Sequence, residues 1–210
     1  ILGGSFSNME KIISELDQSK AEYIHFDVMD GDFVPNLTFG PKFISDLRLK
    51  TKKIFDVHLM IRRVDKFLDN YIKAGSDIIT FHYEIDENID DLIYRIKENN
   101  IKVGIAIKPK TPWEKIKKYL QAVDQVIIMT VEPGFGGQLF MNDQIKKIES
   151  IYHYVKENNY DVDIEIDGGV NYETGKLCIE AGANILVAGS FLFKQEDLII
   201  ATNKLNDYFN

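Results

Sequence analysis

Short apolar, β-branched runs alternate with longer amphipathic stretches along almost the whole chain. Runs over residues 23–27, 54–59, 78–81, 103–107, 126–129, 164–167 and 185–188 read as strands. Between them, residues 9–18, 41–47, 64–74, 89–98, 112–120, 143–157, 174–181 and 197–209 carry helical patterns. In the stretch 143–157, Ile145, Ile148, Ile151, Tyr152 and Val155 fall on one helical face. Ala74-Gly75, Asn99-Asn100 and Ala181-Gly182 supply the residue types that close helices.

Strict strand–helix alternation implies parallel strands with helical crossovers. Seven strands are visible, and Ile1-Leu2 reads as the tail of an eighth, cut short at its start. The expected fold is α/β: a (β/α)8 TIM barrel in one domain over residues 1–210, its first strand truncated. A doubly wound open sheet shares the alternation, but no Gly-x-Gly-x-x-Gly opens the first helix, as a dinucleotide fold would require. In a barrel, function collects where strands end and the following loops begin.

Composition narrows the class. With 210 residues and 45% apolar content the chain can bury a substantial core. A net charge of −8, with the 25 Lys and Arg scattered, excludes a nucleic-acid surface. No apolar run is long enough to span a membrane, and Ile-Leu-Gly-Gly-Ser at the start lacks the features of a signal peptide. Cys178 stands alone, so no internal disulfide forms, and a reduced, cytoplasmic setting is expected.

The strand ends carry the chemistry. His25, Asp27 and Met29 occupy alternate positions of one run, and Asp56, His58 and Met60 repeat the arrangement on the next. Period two puts each set on one face, which in a barrel can be the inside. Glu165 and Asp167 follow the same rule later. Two imidazoles and two carboxylates without a thiolate suit Zn²⁺, Fe²⁺, Mn²⁺ or Co²⁺; hydrogen-bonded core histidines are the plain alternative. Asp56 and Glu165, one step deeper, would orient the imidazoles. His82 reads as a packing residue or an outer hydrogen-bond partner, with Glu84 two residues on, and His153 as a surface residue of its helix.

Glycines concentrate after the last strands, in Pro133-Gly134-Phe135-Gly136-Gly137-Gln138, Gly168-Gly169 and Gly189-Ser190. Backbone N–H groups bare of side chains ahead of helices can cradle a phosphate, although Gly-Gly is also ordinary turn chemistry. Met29, Met60 and Met129 all end strands, either as gap-filling core residues or as an apolar lid over a reacting carbon.

Four segments resemble one family. His25-Phe26-Asp27-Val28-Met29-Asp30-Gly31-Asp32-Phe33-Val34-Pro35-Asn36-Leu37-Thr38-Phe39-Gly40-Pro41 is similar to the signature of ribulose-phosphate 3-epimerases. So are Asp56-Val57-His58-Leu59-Met60, Met129-Thr130-Val131-Glu132-Pro133-Gly134-Phe135-Gly136-Gly137-Gln138 and Glu165-Ile166-Asp167-Gly168-Gly169-Val170-Asn171, in the same order and spacing. The resemblance implies a (β/α)8 enzyme that interconverts D-ribulose 5-phosphate and D-xylulose 5-phosphate in the pentose phosphate pathway. It implies one divalent metal on His25, Asp27, His58 and Asp167, with Asp27 and Asp167 as the acid–base pair on opposite faces of the sugar. Substrate and phosphate contacts then fall on His58, Gly134, Phe135, Gly136, Gly137, Gly168, Gly169, Gly189 and Ser190. A metal bound to the substrate would stabilise the enediolate formed when C3 loses its proton.

The match departs at the start, where Gly3-Gly4-Ser5 stands for the family's Ser-Ala-Asp and the family's substrate-contacting serine would precede Ile1. Ser5 and Ser7 are possible substitutes at shifted positions. Two rival functions remain: a 3-epimerase of a ketohexose 6-phosphate such as D-allulose 6-phosphate, and a phosphosugar-binding barrel without catalysis. The resemblance also implies a homo-oligomer, dimer or hexamer.

Overall fold

The computed structural model describes residues 1–209. Seven strands form one parallel sheet in sequence order: β1 (Tyr23–Met29), β2 (Ile54–Met60), β3 (Ile78–His82), β4 (Lys102–Ile107), β5 (Gln125–Met129), β6 (Asp163–Asp167) and β7 (Ile185–Val187). The helices between and around them are α1 (Met9–Gln18), α2 (Pro41–Arg48), α3 (Val64–Lys73), α4 (Ile89–Glu98), α5 (Ile145–Glu157), α6 (Tyr172–Glu180) and α7 (Leu198–Asn206). The sheet curls into a nearly closed barrel. Ile1 and Leu2, expected as the end of an eighth strand, form no ladder. They still sit in the seam between β1 and β7: the Ile1 nitrogen donates to the His25 carbonyl at 2.7 Å, and Gly3 lies against Gly189 and Ser190.

Strand alternation divides the interior into two layers. Phe26, Val28, Phe55, Val57, Leu59, Ile79, Phe81, Val103, Ile105, Ile107, Val126, Ile128, Ile164 and Ile166 are buried in one continuous cluster with the apolar faces of the helices. The opposite faces of the strands look into the barrel, where a small cluster of Ala106, Ile127, Met129 and Val131 is apolar, Ile78, Met29 and Met60 add apolar groups, and polar and charged side chains fill much of the remainder. The hydrophobic drive is therefore spent mainly between sheet and helices, which leaves the barrel axis open to chemistry. Gly104 belongs to this inner face: a methyl there would come within 2.0 Å of the Thr80 hydroxyl.

Three helical expectations change, since residues 197–209 also divide into α7 and a 3₁₀ turn, Asp207–Phe209. Residues 112–120 contain a 3₁₀-helix, Trp113–Tyr119, in place of an α-helix. Its buried residues Ile116 and Tyr119 recur at a spacing of three, which suits the tighter winding. Residues 143–157 split into a 3₁₀ turn, Asn142–Gln144, and α5. The helix-closing signals hold, with positive φ at Gly75 (92°), Asn100 (56°) and Gly182 (107°).

Candidate active site

The strand register stacks the inward residues in two storeys. His25 lies beside Asp56 and Asp27 beside His58 across β1 and β2, while Met129 lies beside Asp167 across β5 and β6. In the upper storey, one ligand atom each from His25, Asp27, His58 and Asp167 lies within 4.8 Å of the others. His25 Nε2 is 3.5 Å from Asp27 Oδ1 and 3.9 Å from Asp167 Oδ2. His58 Nδ1 is 3.7 Å from Asp27 Oδ1 and 3.4 Å from Asp167 Oδ2.

The lower storey holds the first imidazole in place. His25 Nδ1 meets Asp56 Oδ2 at 2.5 Å and Glu165 Oε1 at 3.1 Å. Asp56 Oδ1 accepts from the Gln125 amide at 3.3 Å. His25 thus spans both storeys, its Nδ1 bound below and its Nε2 aimed above. The second imidazole is held from the side, where His58 Nε2 faces His82 Nε2 at 2.9 Å. His153, by contrast, is exposed on α5.

The electrostatics favour positive charge between the two storeys. Burial works against protonation of His25, but the Asp56 charge and the nearby carboxylates of Asp27 and Glu165 hold its pKa well above the usual value. Burial likewise opposes His58, yet Asp167 and Asp27 raise it to about 9. Burial would raise Asp27 and Asp56, but the histidines hold both below the ordinary carboxylate range. Glu165 goes the other way, pushed up to about 8 by burial and then by the Asp56 charge. Burial keeps His82 neutral, down to about 4.

This donor set fits a divalent cation. His25 Nε2 and His58 Nδ1 are buried and have no hydrogen-bond partner among the described residues, a costly state for groups that could otherwise bond. Both are aimed at the carboxylates of Asp27 and Asp167, whose field favours a cation.

A cavity of about 730 Å³ reaches the cluster and continues down the seam between β1 and β7, past Tyr23, Asn184 and Leu205. Met29, Met60 and Met129 line it and are themselves buried. The three glycine-rich loops reach it too, through Gly134 to Gly137, Gly168, Gly169, Gly189 and Ser190. A methyl on Gly136 would come within 2.9 Å of the Ser190 hydroxyl, so the loops after β5 and β7 meet closely. His58 is fully buried behind this wall. Ser5 and Ser7 do not replace a substrate-contacting serine: their hydroxyls bond each other at 2.9 Å at the surface.

Some contributors lie inside the motif segments but carry no periodic signal of their own. The Asn36 amide donates to the Gly134 carbonyl at 2.8 Å, tying the loop after β1 to the loop after β5. The Gln138 amide closes that second loop on the carbonyls of Glu132 (2.6 Å) and Phe135 (2.8 Å). Thr130 clamps the end of β6, its backbone N–H donating to the Asp167 carbonyl at 2.9 Å and its hydroxyl to the Gly168 carbonyl at 2.5 Å.

Comparison with known proteins decides the family. The sequence profile of the ribulose-phosphate 3 epimerase family matches residues 1–193. The chain belongs to this family. The ribulose-phosphate 3-epimerase of Bacillus subtilis (strain 168) is 42% identical over 198 residues, covering 94% of this chain and 91% of the relative. That of Rhodobacter capsulatus is 42% identical over 194 residues, covering 92% and 84%. Among solved structures, KGPDC from Streptococcus mutans matches with a TM-score of 0.74 at 14% identity over 99% of this chain and 92% of that one, a likeness of fold. The resemblance read from the motifs is borne out, and the chain is an enzyme of the epimerase class. Among the described residues, no helix is long and apolar enough to cross a membrane.

Proposed function

We propose that this enzyme interconverts D-ribulose 5-phosphate and D-xylulose 5-phosphate by moving the C3 proton between substrate and the pair Asp27 and Asp167. The observation that carries the reading is which members of the cluster are most open. The side chains of Asp27 and Asp167 are 14% and 13% exposed, while those of His25 and His58 are 7% and 0%. The carboxylates stand on β1 and β6, separate strands at one rim, as an epimerase requires of a base on one face and an acid on the other.

His25, Asp27, His58 and Asp167 would hold one divalent metal, Zn, Fe, Mn or Co. Bound there, the ion supplies Lewis-acid charge that makes the proton beside the C2 carbonyl more acidic. The protein's own groups do the rest. Oδ1 of Asp27 and Oδ2 of Asp167 are the oxygens nearest both imidazoles. That leaves Oδ2 of Asp27 and Oδ1 of Asp167 to take and return the proton. Met29, Met60 and Met129 keep the reacting carbon in apolar surroundings. Gly134, Gly136, Gly137, Gly168, Gly169, Gly189 and Ser190 grip the phosphate through backbone N–H groups and one hydroxyl, with Phe135 on the same loop.

The test offers D-ribulose 5-phosphate and D-allulose 6-phosphate to metal-loaded protein and follows formation of each C3 epimer. The proposal expects turnover of the pentose pair, lost on chelation and in Asp27→Asn and Asp167→Asn. Preferred turnover of the hexose would reassign the substrate. No turnover of either would make the barrel a binding protein.

A further inference from the structure

Beyond the four cluster residues, a second line of side chains runs away from His58 through the barrel wall. His82, at the end of β3, is fully buried. Its ring stacks on His58 at 5.0 Å between centroids and 25° between planes, and Phe33 packs against it at 4.9 Å. His82 Nε2 lies 2.9 Å from His58 Nε2, and His82 Nδ1 lies 3.1 Å from Glu84 Oε2. Glu84 is anchored in turn: its Oε1 accepts from the Lys108 backbone N–H at 2.8 Å and from the Thr111 hydroxyl.

We infer that His82 and Glu84 are positioning residues that fix the tautomer and orientation of His58, so that His58 Nδ1 presents a bare lone pair to the metal. The inference rests on the metal site proposed above. Two ring nitrogens facing each other at hydrogen-bond distance share one proton, so the line has a direction. Glu84 is acceptor-only as a carboxylate, so His82 must carry its proton on Nδ1. His82 Nε2 is then bare and accepts from His58 Nε2–H. His58 therefore keeps its proton on Nε2, and the proton that a metal displaces is the one on Nδ1, the atom 3.4 and 3.7 Å from the two aspartates. In the reverse direction a bare His82 Nδ1 would face the Glu84 carboxylate, and His58 would carry its proton on Nδ1, where it could not ligate. Glu84 therefore sets the tautomer two residues away from the ligand, and the backbone of the loop after β4 holds Glu84 still. His25 is oriented differently, by Asp56 and Glu165 directly, so the two imidazoles are held by unlike partners.

Zn²⁺ affinity of the metal-stripped protein, measured by competition with a chromophoric chelator, tests this without reference to turnover. His82→Leu is expected to weaken Zn²⁺ binding about 10–100-fold, the usual cost of removing an outer hydrogen-bond partner. His82→Gln, whose amide can accept from His58 and donate to Glu84, is expected to stay within about threefold of the parent. Parent affinity in folded His82→Leu would overturn the inference. Should His82→Leu fail to fold, the ring-nitrogen spectrum of Zn²⁺-loaded parent protein decides: protons on His58 Nε2 and His82 Nδ1 support the line, and a proton on His82 Nε2 refutes it. His58→Ala separates the two readings. If it binds Zn²⁺ like the parent, the four-residue site falls and this inference with it. If it weakens binding while His82→Leu does not, only the positioning role falls.

Discussion

Gly168→Ala tests whether the end of β6 is as tightly seated as its surroundings imply. Gly168 has φ +122°, a conformation L side chains rarely adopt. A methyl there would come within 2.5 Å of Val131 Cγ2 and within 2.9 Å of the Val131 backbone nitrogen. The side chain could turn, but the backbone atom cannot move without disturbing β5, which ends next door. The forced backbone costs about 1–3 kcal/mol and the overpacking about 1–3 kcal/mol, so stability should fall by about 2–6 kcal/mol. Relief by moving Gly168 outward would pull on the Thr130 clamp, whose hydroxyl reaches the carbonyls of both Asp167 and Gly168. Asp167 would shift with it, and a displacement near 1 Å costs about 100-fold in rate. Urea unfolding gives the first quantity and kcat, at a temperature where the variant stays folded, gives the second. Gly189→Ala serves as control, since a methyl there meets nothing within 4 Å, and its stability should stay within about 0.5 kcal/mol of the parent. A Gly168→Ala protein with parental stability and parental kcat would refute the picture of a rigid strand end holding Asp167.

Three further outcomes follow from single groups. Asn36→Ala removes the amide bond to the Gly134 carbonyl, and steady-state kinetics should show kcat/KM down about threefold to tenfold, mostly through KM, as loss of one hydrogen bond implies. His82, Thr111 and the Lys108 N–H hold Glu84 down to about 2 despite its burial. The stability this contributes is complete above the unfolded value and is lost as pH falls toward 2. The deficit of Glu84→Gln at pH 7, read from denaturant titrations, should therefore shrink by about 2 kcal/mol by pH 3. Burial pushes the Cys178 thiol up to about 12, so thiol reagents should label it only when the protein unfolds, and rapid labelling of the native enzyme would contradict its placement.

The barrel was legible because its strands are buried on one face by helices and carry unmistakable β-branched runs there, as in Val103, Ile105 and Ile107. The alternation of His25 with Asp27 and of Asp56 with His58 put the right residues on the inner face. It could not show the register that sets His25 beside Asp56 and Asp27 beside His58. Asp56 and Glu165 as orienting groups, and His82 as an outer partner, agree with the distances. The 3₁₀ winding of Trp113–Tyr119 escaped the helical pattern because apolar spacings of three and four are shared by both helix types. Asn36, Thr130 and the anchored role of Glu84 were illegible for another reason. Their partners are remote in sequence, Gly134 lying 98 positions from Asn36, and a single polar residue in a loop has no period to betray it. Ile1 and Leu2 form no ladder, and among the described residues Ile1 reaches β1 through the His25 carbonyl.

Hydrogen exchange at C3 tests the two-aspartate account most directly. D-ribulose 5-phosphate is incubated in D2O with metal-loaded parent, Asp27→Asn and Asp167→Asn proteins, and deuterium at C3 is followed by NMR in both epimers. The account predicts that the parent places deuterium at C3 of both epimers and that neither variant forms the xylulose epimer. A variant that keeps one carboxylate is expected to exchange only the proton on the face that carboxylate serves. Formation of deuterated D-xylulose 5-phosphate at the parental rate by either variant would contradict it.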